Sequence, residues 1–400
     1  MSELCTRDVV ESDLPAILTI RARSFGPLGV GGDAWWQRVS AETLGGRMVA
    51  VVDESDTVLG AGRIRPYEQA WGGRHLRMGG VAGVYVEPSA RGRGVATALT
   101  RALIARMGEL GDVVSCLFPT TPTLYRRSGY EVGGVQTRTT YAAHLLRDLG
   151  TSRRSTGREA GAGSRVRPAG PDDAEQLHDL AREAGTRHGV SGPMVQSVAT
   201  LRGALERDEL IAYLVEGGYV LYDLSEQAAT VEELVATTPE AAATLWGVVG
   251  SGSSAVPTVH TYLDPRDPGA LVVGGLASTE VRQVPWMGRV IDLEAAFGAR
   301  GFNPHVSVEV DLVVSDPEAS RNSGRWTLTV AHGRGATART DEPVGEEGAL
   351  RVEARGLSAL WCGWSVSRLR QAGLATGGTA EADAALDAAF ACQPYITEYF

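Results

Sequence analysis

The densest chemistry in the chain lies at residues 84–96: Val84-Tyr85-Val86-Glu87-Pro88-Ser89-Ala90-Arg91-Gly92-Arg93-Gly94-Val95-Ala96. An apolar run stops at Pro88, a short loop alternates arginine with glycine, and an apolar-periodic segment follows. The order reads as strand, loop, helix. Such a loop brings several backbone N–H groups to a helix N-terminus, where free donors and the helix dipole favour a pyrophosphate. Gly92 and Gly94 let the backbone approach without a Cβ, while Arg91 and Arg93 add charge and bidentate donors. The competing reading is a surface turn with helix-capping glycines, and it must explain why a buried strand feeds directly into the turn. A dinucleotide fingerprint does not fit, since GxGxxG is absent and the chain opens with a helix and a hairpin.

The elements that must position this loop are legible around it. Ser12 or Asp13 caps a helix carrying Leu14, Ile17, Leu18 and Ile20. Met48–Val52 and Thr57–Ile64 read as a hairpin about a polar turn, Leu76–Val86 as a long strand, Gly94–Met107 as a helix and Val113–Phe118 as a buried strand. Residues 150–165 form a linker by composition. Beyond it, Arg167, Asp173 and Leu177 repeat Arg7, Asp13 and Ile17 at an offset of 160, which suggests a duplicated domain. Further strands are expected in 205–225 and 256–275, and a helix at 239–250. From about residue 303 the pattern changes. Val306–Val314 and Arg325–Ala331 alternate as a hairpin around Ser315–Gly324, followed by helices near Gly356–Leu360 and Ala380–Ala391. The expectation is an α/β (α+β) chain with domains at 1–150, 165–298 and 303–400.

Composition narrows the chemistry. The 400 residues include 38 basic side chains, every one an arginine. The absence of lysine excludes a Walker A lysine, a strand lysine on ATP and any Schiff base. The first 150 residues carry a net charge of +2 and the remainder −12. An acidic body argues against nucleic acid as a partner and favours a cationic one. Cys5, Cys116, Cys362 and Cys392 form no CxxC pair, and the seven histidines show no ligand spacing, so no metal is expected. The first residues do not read as a signal peptide and no apolar run reaches the length of a membrane span, so a cytoplasmic location is expected.

The 84–96 run resembles motif A of the GNAT acetyltransferases, R/Q-x-x-G-x-G/A, matched by Arg91, Gly94 and Ala96. Val84-Tyr85-Val86 looks like that family's splayed strand, and Leu124–Glu131 resembles the helix and strand that close the fold. The whole chain resembles the Eis (enhanced intracellular survival) N-acetyltransferases. That resemblance implies two tandem GNAT-like domains, the second degenerate, then a sterol carrier protein-like domain. It implies acetyl-CoA as co-substrate, acetylation of primary amines including aminoglycosides, and a homohexamer.

The resemblance also assigns residues. Acetyl-CoA contacts are expected from Val84, Tyr85, Val86, Arg91, Gly92, Arg93, Gly94, Val95, Ala96 and Thr97, with Thr120 and Thr121 from the neighbouring strand. Tyr125 matches the tyrosine that protonates the departing thiolate, with Tyr130 as its competitor, read as core. The C-terminal carboxylate of Phe400 is expected to reach the first domain and accept the proton of the substrate ammonium. Phe25, Trp36 and Tyr399 are expected in the substrate pocket, with Trp35 beside them. Where many relatives carry an acid just before the terminal Phe, this chain has Tyr399, with Glu398 one residue earlier. Two alternatives stay open: acetylation of protein lysines or peptide amines, and a non-catalytic protein that binds lipid or senses acyl-CoA.

Overall fold

A computed structural model describes residues 4–29, 32–152, 165–274, 278–340 and 348–400. The expected linker lies, for residues 153–164, outside the described residues. The first third comprises β1 Cys5–Asp8, α1 Leu14–Phe25, α2 Gly32–Thr43, β2 Met48–Val52, β3 Val58–Trp71, β4 Arg74–Val86, α3 Val95–Leu110, β5 Val114–Leu117, α4 Pro122–Arg127, β6 Glu131–Ala142 and α5 Ala143–Ser152. The middle third comprises β7 Arg167–Pro168, α6 Ala174–His188, β8 Met194–Val195, α7 Val198–Leu205, β9 Leu210–Val215, β10 Gly218–Leu224, β11 Ala228–Ala236, α8 Pro239–Gly250, β12 Thr258–Thr261, α9 Pro268–Leu271, β13 Ser278–Val290 and α10 Leu293–Ala299. The last comprises β14 Val308–Ser315, β15 Gly324–Ala331, β16 Arg334–Arg339, β17 Leu350–Glu353, α11 Ala354–Trp361, α12 Val366–Gln371, β18 Ala375–Gly377 and α13 Ala380–Phe390.

The repeat read at an offset of 160 is a repeat in geometry. Arg7 holds Asp13 through two nitrogens at 2.7 and 3.1 Å, and Asp13 accepts the Val10 amide at 2.9 Å. Arg167 holds Asp173 at 2.9 and 2.6 Å, and Asp173 accepts the Gly170 amide at 2.9 Å. Each aspartate thus closes a turn before a helix whose inward residue, Ile17 or Leu177, is fully buried.

The two halves share one sheet, in the order β1-β2-β3-β4-β5-β13-β6-β12-β11-β10-β9-β7, with β8 paired to β3. They exchange their last strands. β13, from the second half, pairs with β5 through Val290↔Val114 and Met287↔Leu117. β6, from the first half, lies between β13 and β12. Trp286 of β13 is fully buried at this junction. The third domain is a five-stranded sheet, β16-β15-β14-β17-β18, with α11–α13 packed on it. Its core is continuous with the first half: Trp71, Trp286, Trp361 and Phe390 belong to one buried cluster. A fully buried ion pair, Arg289–Asp316 at 2.8 Å, joins β13 to this domain. Among the described residues no helix is long and apolar enough to cross a membrane.

This packing sets the path of the last ten residues. Arg300 donates to the carbonyls of Trp361 (2.6 Å) and Phe390 (3.2 Å), fixing the end of α13. The chain then crosses between the halves. Tyr395 pairs with Val135 of β6, and its hydroxyl donates to Asp267 at 2.7 Å. The approach is close enough that a Cβ on Gly134 would sit 2.4 Å from the Pro394 carbonyl oxygen.

Candidate active site

β4 and β5 are parallel neighbours only through Met78↔Val114, Gly79↔Ser115 and Gly80↔Cys116. Beyond Gly80 the strands part. Tyr85 and Val86 keep β3 partners on one side, at Ala61 and Gly60, and among the described residues have no partner strand on the other. The β3–β4 register slips between Ala61 and Arg63, where β4 has one extra residue and Gly83 takes a positive φ of 57°. The unpaired edge of β4 runs from this bulge through Val86 toward the loop that starts α3.

That start has the form expected of an anion cradle. Gly92 (φ 78°) and Gly94 (φ 88°) are left-handed, and Gly94 is the N-cap of α3. The site of a Cβ on either meets nothing within 4 Å. No acceptor among the described residues takes the amides of Gly92, Gly94, Val95 or Ala96. Arg91 and Arg93 are exposed beside them, Val95 anchors the helix in the core, and Ala96 and Thr97 are half-buried on its first turn. Thr120 and Thr121 are exposed at the start of α4.

Tyr125 is buried on α4, and burial pushes its phenol up to about 12. Its hydroxyl has no hydrogen-bond partner among the described residues. Tyr130, 6.0 Å away ring to ring, is fully buried, and its hydroxyl is engaged with Ser115 Oγ at 2.8 Å, which in turn donates to the Gly79 carbonyl. Tyr130 is thus held in the core, while Tyr125 keeps a free proton. Cys116 is also buried; burial raises its thiol to about 12, and Gln69 is beside it at 3.5 Å.

The chain's last residues arrive at the point where β4 and β5 separate. The Phe400 ring packs on Tyr67 (5.4 Å) and Phe118 (5.6 Å), against Gly80. Tyr399 is 60% exposed and stacks on Phe118 at 4.3 Å. No hydrogen bond or ion pair among the described residues takes the terminal carboxylate. Glu398 anchors the tail: it accepts from Arg65 (2.5 Å), Tyr67 (2.7 Å) and Gln196 (2.9 Å). Arg65 also meets Glu42 of α2 at 3.2 Å, and Gln136 donates to the Thr397 carbonyl at 3.1 Å.

The expected pocket aromatics separate. Phe25 is exposed and edge-on to Tyr85 at 5.6 Å. Trp36 falls on the inward stripe of α2 with Val39, Ser40 and Thr43, so it packs in the core. Its neighbour Trp35 points off that stripe and covers the Arg63 guanidinium at 5.1 Å. Arg63 and Arg65 were not singled out in the sequence, and Glu398 was noted only for its place before the terminus. The signal for the two arginines was Arg63-Ile64-Arg65-Pro66-Tyr67, where charge recurs with period two inside an otherwise apolar strand.

Comparison with known proteins agrees with this geometry. The Acetyltransferase (GNAT) domain family matches residues 6–133, and a second family of the same description matches 197–290. The Sterol carrier protein domain matches 293–397. A GCN5-related N-acetyltransferase from Kribbella flavida superposes with a TM-score of 0.91 at 40% identity, covering 100% of this chain and 99% of that one. Eis1 from Mycobacterium abscessus shares the fold over the full length of both chains, at a TM-score of 0.72 and 21% identity. N-acetyltransferase Eis of Mycobacterium tuberculosis (strain ATCC 25177 / H37Ra) is 28% identical over 284 residues, 66% of this chain and 67% of the relative. The chain belongs to the GCN5-related N-acetyltransferases, as an Eis-like member with two GNAT domains and a sterol carrier protein-like domain. It is an acyltransferase for amines, and acetyl-CoA is the co-substrate its family uses.

Proposed function

We propose that the first GNAT domain acetylates primary amines by direct attack within a ternary complex, and that the chain's own terminus completes the site. The observation that carries this reading is a set of unpaired groups on the elements around the parting of β4 and β5: the amides at the start of α3, the strand backbone at the β4 bulge, the Tyr125 phenol and the Phe400 carboxylate. Acetyl-CoA supplies the acetyl group as a thioester. The Gly92–Ala96 amides with Arg91 and Arg93 hold its pyrophosphate, and Val84–Val86 pair with its pantetheine arm. Thr97, Thr120 and Thr121 complete its contacts. The Phe400 carboxylate accepts the proton of the substrate ammonium, freeing the nitrogen lone pair to form the new C–N bond. As the C–S bond breaks, the Tyr125 hydroxyl gives its proton to the leaving sulfur. A phenol near 12 is poorly matched to a solvated thiol at about 8.5. It is better matched to a thiol that desolvation raises in the same direction.

The expected aminoglycoside-type acceptors belong to the same reading, since the net charge of −12 beyond residue 150 favours a cationic partner. The expected homohexamer has support in β13, whose residues 278–285 are exposed along an edge without a partner strand among the described residues. Sedimentation velocity reads that state directly. Purified protein with acetyl-CoA and a panel of primary amines, aminoglycosides included, should release free thiol. No release with any amine would reject the enzymatic reading in favour of a sensor.

A further inference from the structure

Arg63 is the anomaly on the acceptor side of β3. Alternation sets its face: Arg63 pairs with Met48 and Ala82, and Arg65 with Gly80. Met48 belongs to the cluster under α1 and α2, whereas Ile64 and Val81 belong to the cluster under α3. Arg63, Arg65 and Tyr67 therefore share the face on which the tail rests. Arg65 is matched twice, by Glu42 and Glu398. Arg63 is 4% exposed, and its Nε and Nη1 are buried with no partner. No ion pair or hydrogen bond from it exists among the described residues. Trp35 covers its face without neutralising it. Burial disfavours its charge and lowers its pKa from the ordinary guanidinium range.

A buried guanidinium without a counter-ion is costly, and the cost falls when an anion arrives with hydrogen bonds. The nearby acids are already committed to Arg65. The last residue rests on the same face, its ring against Gly80, and its carboxylate has no partner among the described residues. Gly80 and Ala82 are two residues apart on β4, about 6.6 Å along the strand. An unpaired guanidinium and an unpaired carboxylate on one face complement a small molecule that carries both a carboxylate and an ammonium.

We propose that Arg63, covered by Trp35, forms an anion subsite, and that the preferred acceptor is a primary amine bearing a carboxylate. This rests on the amine-acetyltransferase reading above and narrows its substrate class. The ammonium lies toward the Phe400 carboxylate and the acceptor's carboxylate toward Arg63, where a planar fork gives bidentate contact.

The test is a matched series: ω-amino acids of three to six carbons against alkylamines of equal length, with 5-aminovalerate and pentylamine as the central pair. Wild type should prefer the amino acid by roughly ten- to hundredfold in kcat/KM, the range expected of a charged hydrogen-bonded pair. Arg63→Met should collapse that ratio to within about threefold, and Arg63→Lys should retain part of it, because it keeps the charge and loses the fork. A wild-type ratio of one or below overturns the subsite, as does an unchanged ratio in Arg63→Met protein that still binds acetyl-CoA. If Arg63→Met does not fold, calorimetry of wild type with CoA decides, and equal binding of 5-aminovalerate and pentylamine overturns the proposal. Thiol release from pentylamine but not from 5-aminovalerate rejects the subsite alone. Release from neither amine, with carboxylate-dependent binding intact, rejects the transfer reading and leaves the subsite standing.

Discussion

Truncating Glu398 tests whether the tail is held where it is needed. Its carboxylate takes three donors, from Arg65, Tyr67 and Gln196, at 2.5, 2.7 and 2.9 Å. Hydrogen bonds to a charged group contribute about 1.5–3 kcal/mol each when buried. The sum overstates the loss, because the side chain is 22% exposed, Arg65 keeps Glu42, and the freed donors can turn to water. A net cost of about 2–3 kcal/mol follows. The last residues would then rely on the Gln136–Thr397 bond and the contacts of Tyr399 and Phe400, the rings giving about 0.5–1.5 kcal/mol each. That leaves docking of residues 398–400 near balance. Glu398→Ala should lower kcat about tenfold or more in steady-state thiol release, leave acetyl-CoA affinity unchanged, and speed carboxypeptidase digestion of the terminus. Glu398→Gln, which still accepts from Tyr67 and Arg65, should fall between. Wild-type kcat together with wild-type resistance to carboxypeptidase in Glu398→Ala would refute the anchoring.

Three further outcomes are expected. Tyr125→Phe should reduce kcat by about 10²–10⁴ with KM for acetyl-CoA within about twofold, and a wild-type rate in stopped assays would remove Tyr125 from its role. Glu233 has an oxygen sealed from water without a partner, and burial raises its carboxyl to about 8. The folded state then holds a proton that the unfolded state releases near 4.5, so this group's contribution to stability falls as pH rises from about 4.5 to about 8. Glu233→Gln should flatten that slope and raise the thermal midpoint at pH 9 relative to wild type; an identical pH profile of melting would contradict it. With no lysine in the chain, mass spectrometry after incubation with acetyl-CoA should find no internal N-acetyl group.

Local chemistry was readable from the sequence and long-range pairing was not. The Arg91–Ala96 loop, the Met48–Val52 and Thr57–Ile64 hairpin and the hairpin of the third domain are set by neighbours in the chain, so residue type and period place them. The Arg7–Asp13 and Arg167–Asp173 turns were visible as an offset because each closes within six residues. The strand exchange was invisible, since β13 meets β5 across more than 150 residues and nothing local in Ser278–Val290 favours one partner sheet over another. The expectation of strands in 256–275 caught Thr258–Thr261 and missed the longer β13 for that reason. Trp35 and Trp36 show the limit within one helix. Both suited a pocket by type, and only the stripe of α2 decides that Trp36 goes inward while its neighbour covers Arg63. Glu398 could not be paired with Arg65 from the sequence, because 333 residues separate them.

Acetyl transfer at the parting of β4 and β5, completed by the chain's own terminus, is tested most directly by adding one alanine after Phe400. The extension leaves every side chain in place and moves the carboxylate away from the Tyr67–Phe118 contact. Steady-state thiol release with a primary amine should fall at least 10²-fold in kcat, the lower range of general-base catalysis, while calorimetric affinity for acetyl-CoA stays at the wild-type value. An unchanged kcat in the extended protein would contradict a catalytic terminus.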